Sequence, residues 1–149
     1  MINYDIVATR IAKIRKMLVY LKEVPTKTKE EYEKDIRQQL ITERSLQITA
    51  QAILDIRNHI IAHFSWGKPE SYHEIISTLV TNKIVSEEYK SQLEGLTGLR
   101  NILVHGYLTI NPNILYKDVV NGIKAIKAFI YEIEKKFHPK FDKTSNSKG

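Results

Sequence analysis

Apolar residues recur every three or four positions along nearly the whole chain, which is the period of amphipathic helices. Ile2, Ile6, Ile11, Ile14, Met17, Leu18 and Leu21 make one stripe and predict a helix from about Asn3 to Glu23, closed by Pro25. Thr28 followed three residues on by Glu31 reads as a capping box. The long helix it opens is expected to reach about His63, with Tyr32, Ile36, Leu40, Ile48, Ala52, Ile56 and Ile60 inward. Trp66-Gly67-Lys68-Pro69 breaks the pattern, and a shorter helix is expected from about Ser71 to Asn82. Ser86-Glu87-Glu88 looks like an N-cap with an acidic first turn, and the helix after it should end near His105, where Gly106 is a natural left-handed stop. Asn111-Pro112-Asn113 marks a turn. The last helix then runs from about Leu115 to Phe137 with Val119, Ile123, Ile126, Phe129, Ile130 and Ile133 inside. No strand or repeat stands out. The fold class is all-α: an antiparallel bundle of four main helices plus a short one, in one domain over residues 1–137. Residues 138–149, with Lys140, Lys143 and Lys148 against Asp142, read as a basic, disordered tail.

The densest chemistry lies in Arg100-Asn101-Ile102-Leu103-Val104-His105-Gly106-Tyr107. A permanent cation can stabilise extra negative charge on a phosphate, and an imidazole can move a proton near neutral pH. At about 100° per residue, Leu96, Leu99 and Leu103 share the core face, while Asn101 and His105 lie nearly opposite. Arg100 falls on the flank, with Leu93 and Val104 beside it and off the core centre. Asn101 is one turn from His105 and able to fix its tautomer, and the helix C-terminus favours the imidazolium. An outward face mixing apolar and catalytic-type residues asks for a cover, and a second copy of the chain is the simplest one. An Arg and a His five apart on a helix are by themselves a common solvated helix end. The full string is more specific.

Length and composition set bounds. The chain has 149 residues, 42% of them hydrophobic, enough for one helical core. It has no cysteine, so disulfides and thiolate metal sites are excluded. No long apolar run predicts a membrane span, and Met1-Ile2-Asn3-Tyr4-Asp5 lacks a signal-peptide layout, so a cytoplasmic protein is expected. The net charge of +6 suits an anionic partner such as RNA, and equally suits plain solubility.

Other groups carry two readings each. Asp55, His59 and His63, four apart, could ligate zinc, but such a set is more often a hydrogen-bonded interface group, and no metal is expected. Trp66 and Tyr72 could stack on bases or pack the bundle end. Arg10, Lys13, Arg15 and Lys16 could track phosphates or be solvated.

The string Arg100 to Tyr107 resembles the R-N-x-x-x-H-x-Y motif of the HepT family of HEPN-domain ribonucleases. Asp55-Ile56-Arg57-Asn58-His59-Ile60-Ile61-Ala62 resembles the family's second-helix segment, and Pro69 to Glu74 followed by Leu79 the segment before its short helix. The likeness reaches to about Phe137. It implies a helical bundle that dimerises through the motif face, and a metal-independent endoribonuclease needing no cofactor, the toxin of a toxin–antitoxin pair. Arg100 and His105 would be catalytic with Asn101 positioning the imidazole, and Asp55, Asn58 and His59 would support the cleft or bind RNA. A minimal nucleotidyltransferase antitoxin would silence the site by transferring AMP to Tyr107. Gly106 stands where relatives often carry a larger residue. The other reading of the same bundle is a non-catalytic substrate-binding subunit of a two-component nucleotidyltransferase, which would not need Arg100 with His105. The chain shows no Gly-Ser with paired aspartates and is not expected to be the AMP-transferring partner.

Overall fold

The computed structural model describes residues 2–67, 75–105 and 111–140, without the side chains of residues 101, 102, 104 and 105. Six α-helices occur among them: α1 (Tyr4–Leu21), α2 (Lys29–Lys34), α3 (Ile36–Phe64), α4 (Ser77–Thr81), α5 (Lys90–His105) and α6 (Pro112–Phe137). No strand occurs among the described residues.

Side-chain pairs give the directions. Tyr4 meets His138 edge-on at 4.9 Å and the Tyr116 hydroxyl donates to the Lys27 carbonyl at 2.7 Å, so α1 and α6 are antiparallel. Tyr32 packs on Tyr116 just before α3 starts, and Phe64 on Phe137 where it ends, so α3 follows α6. The Ser86 N–H donates to Glu132 at 2.8 Å, and further along Leu96 lies against Gly122. Thus α5 also runs against α6, and against α3. A Cβ on Gly122 would come within 2.7 Å of Leu96 Cδ1, so any larger residue there would push the Leu96 side chain aside.

The local signals explain most boundaries. The Thr28 hydroxyl accepts from Glu31 N at 3.1 Å and Glu31 returns the bond to Thr28 N at 3.0 Å, the expected capping box. Ser86 accepts from Glu88 N and opens a 3-10 turn, Glu87–Tyr89, that runs on into α5. Asn111 caps α6 with Pro112 in its first turn, three residues before the expected start. Phe64 ends α3 because Ser65 turns left-handed at φ 56°. Trp66 then stacks on Phe64 at 4.5 Å, so it closes the bundle end; Tyr72 lies outside the described residues. The expected helix from Ser71 is described only as Ser77–Thr81. The tail from residue 141 is outside the description, while His138 still packs on Tyr4.

Three expectations are corrected. The helix after Thr28 is not continuous: Asp35 takes extended backbone, φ −105° and ψ 91°, and starts α3 anew as its N-cap. That break resets the helical phase. Ile36 and Leu40 are then 69% and 61% exposed, and Gln38, Thr42, Ser45 and Thr49 take the buried side. Those polar groups are satisfied within the helix: Thr42 donates to the Gln38 carbonyl at 2.6 Å and Thr49 to the Ser45 carbonyl at 2.8 Å. Ile6 is exposed because Val7, one position on, takes its place in the core. Leu93 is fully buried and belongs to the core rather than to its edge.

Asp35 does two things at the break. It accepts from Gln38 N at 3.0 Å as the cap and from Lys27 Nζ at 2.8 Å. Lys27 first, and the Gln38 N–H second, hold its carboxyl below the ordinary carboxylate range. A depressed folded value means the contribution is complete above the unfolded pKa of about 3.9 and disappears as pH falls through the folded value. Asp35→Ala is therefore expected to lower the urea midpoint at pH 7, with the gap to the parent narrowing as the pH is taken below about 4. A gap independent of pH would contradict this account.

Candidate functional site

Helix α5 exists because leucines at helical spacing bury one side of it. Leu93, Leu96 and Leu99 are buried and Leu103 packs against the same core. Arg100 projects from this side too, between the directions of Leu93 and Leu96 at about 100° per residue. It does not turn outward as the sequence suggests. It is half-buried, and its Nε donates to Gln51 Oε1 on α3 at 2.7 Å.

That contact is the end of a relay across three helices. Gln51 Nε2 donates to Asp55 Oδ1 at 2.8 Å, one turn further along α3. Asp55 Oδ2 pairs with Arg10 Nε of α1 at 3.0 Å. The chemistry fixes the direction of every link. Arginine only donates and a carboxylate only accepts, so the Gln51 amide has one orientation that serves both neighbours. Both Asp55 oxygens are thereby turned to protein partners, and Arg100 is held on α3 rather than swinging on a free stem.

A cleft of about 330 Å³ opens beside the relay between α1 and α3, with Arg100 at its wall. Its walls carry Arg10, Lys13, Arg44 and Arg100 against the single carboxylate of Asp55, with Gln47 and Gln51 between. The cleft thus favours an anion.

The other expected site residues are spread along the helices. Asp55 is at the cleft. Asn58 is exposed, and His59 is half-buried with its Nε2 shielded and without a hydrogen-bond partner among the described residues. His59 is eight residues past Gln51, about 12 Å along the α3 axis from the Arg100 contact at 1.5 Å per residue. Asp55, His59 and His63 do not converge: Asp55 is in the relay and the His63 ring rests edge-on against Phe64 at 4.7 Å. Among the described residues no group of three His, Cys, Asp or Glu could hold a metal. Arg10 and Arg15 of the expected basic face are paired, Arg10 with Asp55 and Arg15 with Glu134. His105 is the last residue of α5; its side chain and that of Asn101 lie outside the described residues, as does Tyr107 altogether.

Gln51 and Arg44 are the parts of this site that the sequence did not suggest. The available signal was spacing: Gln51 stands four before Asp55 and seven after Arg44, on one face of one helix.

The family described as Ribonuclease HepT-like matches residues 7–133. The chain belongs to this family. It is 33% identical over 128 residues to the tRNA nuclease HepT of Aphanizomenon flos-aquae, covering 86% of this chain and 87% of that one. It is 28% identical over 126 residues to the mRNA nuclease HepT of Shewanella oneidensis, covering 85% and 94%. Among solved structures, the tri-AMPylated Shewanella oneidensis HEPN toxin in complex with MNT antitoxin superposes with a TM-score of 0.75 at 27% identity, over 88% of this chain and 98% of that one. These findings agree with the resemblance carried by Arg100 to Tyr107 and with the all-helical fold. Among the described residues no helix is long and apolar enough to cross a membrane.

The relay should behave as one unit. Gln51→Leu removes the bonds that Arg100 Nε and Asp55 Oδ1 make to this amide and is expected to cost on the order of 1.5–3 kcal/mol. In a double-mutant cycle with Arg10→Gln the two effects should depart from additivity by about 0.5 kcal/mol or more in urea denaturation. Strict additivity would mean that the links are independent.

Proposed function

We propose that this chain is a HepT-type toxin: an endoribonuclease that cleaves RNA without a metal and is silenced by a nucleotidyltransferase antitoxin. The observation that carries this reading is Arg100, anchored through Gln51 at an anion-favouring cleft on the helix whose last residue is His105. Membership of the HepT-like family supports it. So do the printed activities of the two nuclease relatives, and the AMPylated state and antitoxin of the solved toxin.

The chemistry follows from the substrate. The RNA 2′-hydroxyl is an internal nucleophile, so neither an activated water nor a metal is required. An imidazole takes the 2′-proton as the oxygen attacks phosphorus, and an imidazolium gives a proton to the departing 5′-oxygen. His105 fills both roles, one from each of two chains, with Asn101 holding the ring. Arg100 offsets the charge that builds on the phosphorane. The products are a 2′,3′-cyclic phosphate and a 5′-hydroxyl. AMP on Tyr107 places a bulky anion beside the catalytic string and keeps substrate phosphate out by charge and volume. Asp55 supports Arg100 through Gln51, while Asn58 and His59 serve the more distant part of the RNA path.

The dimer has its own support in α5. Gly95 and Gly98 lie mid-helix, where each costs about 1 kcal/mol of helix stability relative to alanine. A Cβ at either would meet no described atom within 4 Å, so this chain's described residues supply no packing reason for them. They lie on the same side of α5 as position 105, where a partner helix can approach closely.

Unmodified protein incubated with single-stranded RNA in EDTA is expected to cut it to cyclic-phosphate ends and to leave the 2′-deoxy analogue intact. Arg100→Ala should lose about 10²–10³-fold and His105→Ala about 10²–10⁴-fold in kcat. Equal behaviour of parent and variants across several RNA classes would overturn the enzyme. Gly98→Leu should stay fully helical by circular dichroism yet give a monomer by analytical ultracentrifugation, with cleavage lost. An unaltered, active dimer would remove α5 from the interface.

A further inference from the structure

The cleft between α1 and α3 is larger than Arg100 needs. Its α3 wall runs from Arg44 to Asp55, about 16 Å along the axis at 1.5 Å per residue, too long for one phosphate. Besides Arg100 of α5, its cations come from two helices, α1 and α3. Arg10 gives its Nε to Asp55, and no described residue takes its terminal nitrogens. Lys13, one turn on, is exposed and has no partner among the described residues. Arg44 faces them from α3, steadied by Gln47 at 3.2 Å. Among the described lining residues Asp55 adds the only negative charge, already shared between Arg10 and Gln51. A second cleft, between residues 83–89 ahead of α5 and the second half of α6, sets Lys83, Lys135 and Lys136 against Glu88 and Glu132 and has no comparable excess.

Direction matters as much as charge. Because α5 runs against α3, each residue past Arg100 moves the chain about 1.5 Å toward Arg44. The contact of Arg100 with Gln51 therefore sets position 105 level with about residue 46 of α3, next to Arg44 and Gln47 in height. The cleft lies alongside the whole interval between the two catalytic positions.

We infer that this cleft is a substrate subsite in which Lys13 and Arg44, with Arg10, hold backbone phosphates of single-stranded RNA flanking the bond to be cut. The inference rests on the proposed ribonuclease reading and assigns it a binding track. These side chains contact phosphate away from the reacting atoms, so they set affinity and register rather than chemistry. Arg10 is also part of the relay, which makes Lys13 and Arg44 the cleaner probes.

The test compares the parent with Lys13→Gln/Arg44→Gln and with Lys124→Gln/Lys127→Gln, which removes the same charge from the exposed side of α6, away from the cleft. Binding is read by fluorescence anisotropy with a 2′-O-methyl RNA that cannot be cut, over a salt series, and cleavage by KM and kcat on the matching RNA. The cleft variant is expected to bind about tenfold or more weakly, and its slope of log K against log salt should fall by about 1–2. KM should rise in step, with kcat changing much less. The α6 variant should match the parent, and equal melting curves would show that both variants are folded. If the cleft variant binds and cleaves like the α6 variant while the parent cuts RNA, the subsite is wrong and the ribonuclease stands. If the parent neither binds nor cuts RNA, both fall. Weakened binding to a similar extent in both doubly substituted proteins would reduce the effect to net charge and overturn the subsite.

Discussion

The link between Arg100 and Gln51 organises the functional half of this molecule. An arginine on a helix near a core is a problem for the fold: its charge needs solvation or partners, and its stem needs apolar cover. Here the stem leaves α5 among leucines, and its head finds an amide on α3 that is itself held by a carboxylate. The carboxylate is balanced by Arg10 on α1. Three helices thus meet through polar atoms at the edge of an otherwise apolar core, and the position of the cation follows from their packing. A guanidinium held in this way loses little freedom on meeting a phosphate, which is what electrostatic stabilisation of a transition state requires.

The break at Asp35 matters for the same reason. Had the chain run as one helix from Thr28, the phase of α3 would have carried Ile36 and Leu40 inward. The cap at Asp35 restarts the count. The restarted helix buries Ala52, Ile53, Ile56 and Ile60 and brings Arg44, Gln47 and Gln51 to one wall of the cleft. The ion pair with Lys27 ties that restart to the short segment before α2. A local backbone choice near residue 35 therefore determines which side chains can reach Arg100 two turns and more downstream.

The bundle was legible because its long helices are amphipathic. All six inward residues expected for α6 are buried, and the capping box at Thr28 and Glu31 is present as read. The stripe of α1 was right except at Ile6, where two adjacent apolar residues competed for one place and Val7 took it. The first half of α3 could not be read from hydrophobicity, because its buried side is Gln38, Thr42, Ser45 and Thr49 and its exposed side holds Ile36, Leu40 and Ile41. The motif was legible as a string because its residue types and spacing are uncommon together. The direction of Arg100 was not, since a long side chain on a helix flank can turn either way, and only Gln51 across the gap decides it.

The two halves of the proposed chemistry then face a geometric demand. Residues 100 and 105 are five apart, about 140° around α5, and Arg100 is committed to the α3 side. A phosphate at Arg100 of one chain is reached from position 105 either across the helix end or from a second chain laid against the glycine side of α5. The second route explains two glycines whose cost to the helix is otherwise uncompensated among the described residues. It also explains why a strongly basic trough lies beside α5 rather than over its end. In a dimer packed on the glycine side, each trough leads an RNA strand from α1 and α3 toward the helix terminus that both copies share. Affinity then comes from one chain's cleft, while the proton transfers need two. Loss of the dimer should therefore abolish turnover while sparing much of the binding, a separation that a purely electrostatic scaffold would not produce.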